Sequence, residues 1–152
     1  MFQPRVILHP TDSSDCSRYA FHVAVDLARQ HQAALLIVNV VETLGPENIT
    51  YGVASSELEP AGYRRRLARE LCQKVPAPPG LAVEHILAEG DPAHEIERVA
   101  RERSCDLIIL GTHGRTGLSR LLMGSVAEQV VRLAPCPVLI TKPSPNKAAQ
   151  PT

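Results

Sequence analysis

Aromatic residues are scarce in this sequence: tryptophan is missing, and Phe2, Tyr19, Phe21, Tyr51 and Tyr63 are the whole aromatic complement. That leaves little material for a base-stacking platform. An excess of either charge is missing too, because 16 Lys plus Arg balance 16 Asp plus Glu, so no overall positive field attracts nucleic acid. No nucleic-acid partner is expected. The cysteines Cys16, Cys72, Cys105 and Cys136 lie far apart without a C-x-x-C pair, and buried, reduced thiols are the reading they favour. No apolar run approaches the roughly 18 residues of a membrane span. Met1 to Arg5 leads straight into a short strand without the longer apolar segment of a signal peptide. The expectation is a cytoplasmic protein with no membrane partner, in which the sequon Asn48-Ile49-Thr50 carries no glycan. A Walker-type phosphate loop is absent as well: no G-x-x-x-x-G-K-[ST] occurs, and no lysine lies in the glycine-rich segment described below.

What the chain does have is a regular alternation of strand-length apolar runs with longer segments of helical period, the pattern of a parallel α/β domain. At 152 residues it is about one domain long, enough to bury roughly 70% of the extended-chain surface. Strands are expected at Arg5–His9, Ala34–Val40, Ala82–Leu87, Leu107–Leu110 and Pro137–Thr141, several of them apolar throughout as if covered on both faces. Helices are expected from about Ser14, over Tyr63–Val75 with Leu67, Ala68 and Leu71 inward, from Asp91-Pro92, and over Ser125–Leu133. Five parallel strands joined by right-handed crossovers predict a doubly wound sheet of order 3-2-1-4-5 with helices on both faces. Residues 1–142 form the domain and 143–152, rich in proline, a flexible tail; Glu42 to Ser56 reads as a mobile flap.

That strand order reverses beside the first strand, so a ligand crevice is expected outside the carboxyl ends of the first and fourth. The sequence puts unusual chemistry at both places. After the first strand comes Pro10-Thr11-Asp12-Ser13-Ser14, where Asp12 suits a ribose hydroxyl or a divalent cation and, equally, a helix cap with Ser14. After the fourth comes Gly111-Thr-His113-Gly114-Arg115-Thr-Gly117, continuing through Arg120 to Gly124-Ser125-Val126. Glycines there let the backbone take positive φ and approach a ligand, and the helix that follows offers free N–H groups to an anion. Ser125 suits a phosphate or a plain N-cap, Arg115 and Arg120 suit phosphate oxygens or solvent, and His113 reads as lining. Val40, ending the second strand, is placed to pack on a base or simply in the core.

These residues carry a resemblance. Gly111-x2-Gly114-x9-Gly124-Ser125 after a strand, with the Pro-Thr-Asp turn after the first strand and the ending Ala134-Pro-Cys-Pro-Val-Leu-Ile140, resembles the ATP-binding pattern of the universal stress protein family, and the similarity runs from Arg5 to Lys142. The resemblance implies a flavodoxin-like (adenine nucleotide alpha-hydrolase-like) fold, ATP bound with Mg²⁺ or Mn²⁺, a homodimer, and a role in bacterial stress survival. Carried across by position, Asp12 would contact the ribose, Val40 the adenine, and Gly111, Gly114, Gly124 and Ser125 the phosphates. Asn39 stands where the family often has histidine.

The function expected on these grounds is nucleotide-dependent regulation through an unidentified protein partner. The alternatives are a slow ATP hydrolase, for which no base and orienter pair is visible, and a nucleotide-free dimeric scaffold. A flavodoxin is disfavoured because its phosphate loop follows the first strand, whereas the glycine-rich loop here follows the fourth. The apolar edge strand Pro137–Thr141 is the expected homodimer contact.

Overall fold

The structure is a computed structural model that describes residues 1–42, 60–113 and 123–143. Along the chain run β1 (Val6–Pro10), α1 (Asp15–His31), β2 (Ala34–Val41), α2 (Pro60–Lys74), β3 (Val83–Glu89), α3 (Pro92–Glu102), β4 (Leu107–Gly111), α4 (Ser125–Leu133) and β5 (Val138–Thr141). The strands form one parallel sheet in the order β3-β2-β1-β4-β5. The expected topology therefore holds, with strand ends displaced by a residue or two.

Period-two alternation sorts the strand residues onto two covered faces. Ile7, Leu35, Ile37, Leu107 and Ile109 pack under α1 and α2, against Ala20, Ala24, Ala28 and Leu71. Leu8, Leu36, Val38, Ile108 and Leu110 face the other way, against Ile96, Val99 and Ala100 of α3 and Ala127 and Val130 of α4. Both faces are dry, which is why the central strands read as continuous apolar runs. The alanines of α1 are fully buried and carry no bulk, so that helix lies close on the sheet.

Local signals set the helix ends. Ser14 caps α1, its hydroxyl accepting from the Ser17 N–H, and Asp91 caps α3 by accepting from the His94 N–H, with Pro92 in the first turn. Helix α2 begins at Pro60, three residues before the expected start at Tyr63, because proline's fixed φ fits a first helical turn instead of interrupting it. Leu71 is buried within it and Val75 just past its end, and Ala68 is exposed. The same helix corrects the cysteine expectation. All four thiols are free and Cys105 is buried, but Cys16 and Cys136 are half-buried and Cys72, one residue around from Leu71, is exposed. Most of the anticipated flap, residues 43–56, and of the tail, 144–152, lies outside the described residues. Among the described residues no helix is long and apolar enough to cross a membrane.

Candidate functional site

The sheet opens where its strand order reverses. The β1–β2 ladder continues to Pro10 opposite Val38, whereas the β1–β4 ladder ends at Leu8 opposite Ile108. Beyond that point the two central strands are joined by a side chain: His9 Nδ1–H donates to the Ile109 carbonyl over 2.9 Å. A crevice at the carboxyl ends of β1 and β4 is the result expected of a doubly wound sheet.

Its first wall is the turn after β1, which is tied down at nearly every atom. The Thr11 N–H donates to Val38 O (2.8 Å), and Asn39 Nδ2 donates to Thr11 O (2.8 Å). The Thr11 hydroxyl oxygen accepts from Ser17 Oγ (2.9 Å) and from the Ser13 N–H (3.3 Å), so the buried Thr11 side chain is engaged within the protein. Asp12 Oδ1 accepts the Ser14 N–H at 2.9 Å, closing a side-chain turn, and Ser13 sits at φ 65°, in left-handed space that a serine occupies at some cost. Capping of α1 thus falls to Ser14, while Asp12 shapes the turn that aims it. Pro10 and Asp12 are half-buried and Ser13 is exposed at the rim.

The second wall comes from β4 and α4. The Thr112 N–H donates to Thr141 O (3.0 Å) and the Gly124 N–H donates to Thr112 O (2.6 Å), so the base of the connection between β4 and α4 is closed. His113 Nδ1 shares a 3.0 Å hydrogen bond with Thr112 Oγ1. The N-cap of α4 is Gly124, not Ser125, and among the described residues no side chain caps this helix. Having no side-chain oxygen, Gly124 leaves the Ser125, Val126 and Ala127 N–H groups, the donors without an intrahelical acceptor, uncapped. Helices α1 and α3 both have a capping side chain, so α4 presents the better anion site.

At the two described glycines of this segment the positive-φ expectation does not hold. Gly124 has φ −73° and Gly111 is ordinary strand, so neither uses positive φ. At Gly111 the demand is steric: a Cβ would lie 2.8 Å from the Cys16 carbonyl carbon and Cβ. Its lack of a side chain lets the first turn of α1 rest on the end of β4, which brings the two walls together. Gly114, Arg115, Gly117 and Arg120 lie outside the described residues. Val40, near the end of β2, is half-buried and packs on the α3/α4 core.

Sequence reasoning missed His9, Asn39 and Ser17. Ser17 was within reach as the third residue after a serine cap, and His9 as the one polar side chain in an apolar strand; nothing local pointed to Asn39. Burial pushes the His9 imidazole from 6.5 down to about 4, opposed by the Ile109 hydrogen bond and the field of Asp12. No group of three His, Cys, Asp or Glu side chains that could hold a metal ion occurs among the described residues.

A doubly wound α/β domain that brings a helix N-terminus, uncapped among the described residues, to the same end of the sheet as a tied-down Thr-Asp turn offers hydrogen-bond donors to an anionic ligand. The chain belongs to the universal stress protein family, which it matches over residues 4–142. It is 37% identical over 140 residues to Universal stress protein MJ0531 of Methanocaldococcus jannaschii, covering 90% of this chain and 81% of that one. Among solved structures it resembles universal stress protein UspA from Lactobacillus plantarum, with TM-score 0.68, 32% identity, and coverage of 90% of this chain and 97% of that one. It also resembles a universal stress protein in complex with cAMP, with TM-score 0.67, 25% identity, and coverage of 93% and 99%.

Proposed function

We propose that this protein binds ATP, with Mg²⁺ or Mn²⁺ on its phosphates, in the crevice between β1 and β4, and acts as a nucleotide-dependent regulator in stress survival. The observation that carries this is that the N-terminus of α4, uncapped among the described residues, and the Thr11–Ser14 turn lie at the same end of the neighbouring strands β4 and β1: donors for phosphate from one, a carboxylate for the ribose from the other. Val40, near the end of β2, would meet the base. The cAMP complex of a relative supports an adenine nucleotide and keeps a monophosphate as a second reading. A slow ATP hydrolase is the alternative reading of the same site. Nucleotide occupancy would be read by a protein partner, in a homodimer formed through Pro137–Thr141.

Calorimetric titration with MgATP, MnATP and cAMP tests this. A micromolar dissociation constant for the ATP complexes, about −8 kcal/mol, is the expected result. Gly124→Val should abolish it, the branched side chain filling the space beside the α4 donors. Unchanged ATP affinity in a Gly124→Val protein that is folded by circular dichroism would remove the assignment, and tighter binding of cAMP than of ATP would favour the second reading.

A further inference from the structure

We propose that His9 is an acid-sensitive latch holding β1 to β4 at the floor of the crevice, closed while the imidazole is neutral and opened by its protonation. The position argues for it first. Backbone pairing between these strands stops at Leu8 and Ile108, and the next link is the His9 Nδ1–H donated to Ile109 O at 2.9 Å. Two residues beyond each partner stand Thr11 and Gly111, where the two walls of the crevice begin. The strands on the other flanks keep their ladders further, to Pro10 opposite Val38 and to Gly111 opposite Thr141. The latch therefore spans the one central seam that the backbone leaves open.

The second argument is the other ring nitrogen. His9 is fully buried and its Nε2 has no hydrogen-bond partner, the one buried side-chain polar atom among the described residues left in that state. A neutral imidazole tolerates this as an unused acceptor. A proton taken from solvent onto Nε2 would create a buried charge together with a donor that has nothing to bond, and both are costly. The surroundings offer little relief. The Phe21 ring of α1 lies 5.8 Å away centroid to centroid, with exposed His22 on that ring in turn. The flanking β2 and β4 positions are Ile37 and Ile109, and Asp12 is the charged group whose field reaches the ring. Protonation is relieved only if the ring leaves its slot for water, and that motion breaks the bond to Ile109.

The size of the response follows from linkage. A ring that titrates near 6.5 when open and near 4 when closed raises the opening equilibrium about 20-fold between pH 7 and pH 5. Hydrogen exchange of the full chain, read on peptides spanning residues 6–12 and 107–113, measures opening in wild type and in His9→Asn. The asparagine amide keeps a donor where Nδ1 stands and cannot titrate, and taking the ratio of the two proteins at each pH removes the intrinsic pH dependence of exchange. The expected ratio rises about 20-fold from pH 7 to pH 5; a constant ratio overturns the proposal. Should His9→Asn fail to fold, proton NMR of the wild-type imidazole decides: a ring still neutral at pH 5 supports the latch, and one titrating at 6.5 or above overturns it. Neither readout requires nucleotide. A wild type that binds no MgATP at pH 7.5 fails the ATP reading and leaves the latch to be judged on exchange and titration.

Discussion

Gly111→Ala should damage the fold before it damages any binding. An alanine methyl at this position would stand 2.8 Å from the carbonyl carbon and Cβ of Cys16 and 2.9 Å from its carbonyl oxygen. Carbon atoms rest at about 3.5–4.0 Å, so the first turn of α1 would have to retreat by roughly 1 Å. Backbone cannot swing aside as a side-chain end can. Overpacking of this kind costs about 1–3 kcal/mol. The retreat would also stretch the 2.9 Å bond from Ser17 Oγ to Thr11, adding about 1 kcal/mol. A total of about 2–4 kcal/mol corresponds to a melting temperature lower by roughly 5–15 °C for a domain of this size. Urea denaturation of wild type, Gly111→Ala, Cys16→Ala and the double variant measures it. Cys16→Ala removes only Sγ and leaves all three clashing atoms, so it should not rescue. A Gly111→Ala protein within about 0.5 kcal/mol of wild type, or one restored by Cys16→Ala, would refute the packing account of this glycine.

Asp12→Ala should weaken ATP binding while costing about 1 kcal/mol of stability, the price of a lost turn bond; a fall in melting temperature with unchanged calorimetric affinity would leave Asp12 a structural role only. Leu139→Lys should shift the protein toward monomer in sedimentation, and a wild type that sediments as a monomer at micromolar concentration with and without ATP would refute the dimer. Acid should destabilise through His9: its folded-state value lies below the unfolded one, so the unfolded chain takes up the proton first. The His9 contribution is intact above about pH 6.5 and is lost as pH falls towards 4, by about 3 kcal/mol in all. Urea midpoints measured across that window, in wild type and His9→Asn, check both sign and size.

How far the fold could be read from sequence depended on the range of the interaction involved. The strand order and the helices on both faces follow from continuous apolar runs such as Leu107–Leu110, because burial on two faces leaves no room for alternation. Ser14 and Asp91 were readable because a cap lies within three residues of the N–H it serves. The packing reason for Gly111 is not legible in the sequence: its partner, Cys16, is remote in sequence and meets it only once α1 lies on the sheet. The expected helix Ser125–Leu133 holds to the residue, but its N-cap is Gly124 and not the alternative Ser125, because serine is the better capping residue by type while the chain puts glycine there. Cys72 was expected to be buried on general grounds, yet one helical step from Leu71 is enough to turn a side chain to solvent. His9 and Asn39 are invisible to any periodic pattern, since their bonds run from one strand to another.

The two edges of the sheet are built differently, and the difference bears on assembly. On β3, Glu84 pairs with Arg103 and Glu89 pairs with Arg64 at 3.2 Å, so charged pairs stand at both ends of the strand. Charges on an edge discourage another strand from pairing with it. On β5 the sequence is Val138-Leu139-Ile140-Thr141, with Leu139 37% exposed and its neighbours half-buried. Nothing charged interrupts that run. Pairing a second β5 antiparallel about a two-fold axis would satisfy its outer backbone groups and cover Leu139 in the same step, whereas pairing at β3 would require separating or desolvating ion pairs first. Among the described residues, then, charge guards the β3 edge and apolar side chains line β5, so the proposed homodimer contact would form beside β4, next to the wall that carries the α4 donors.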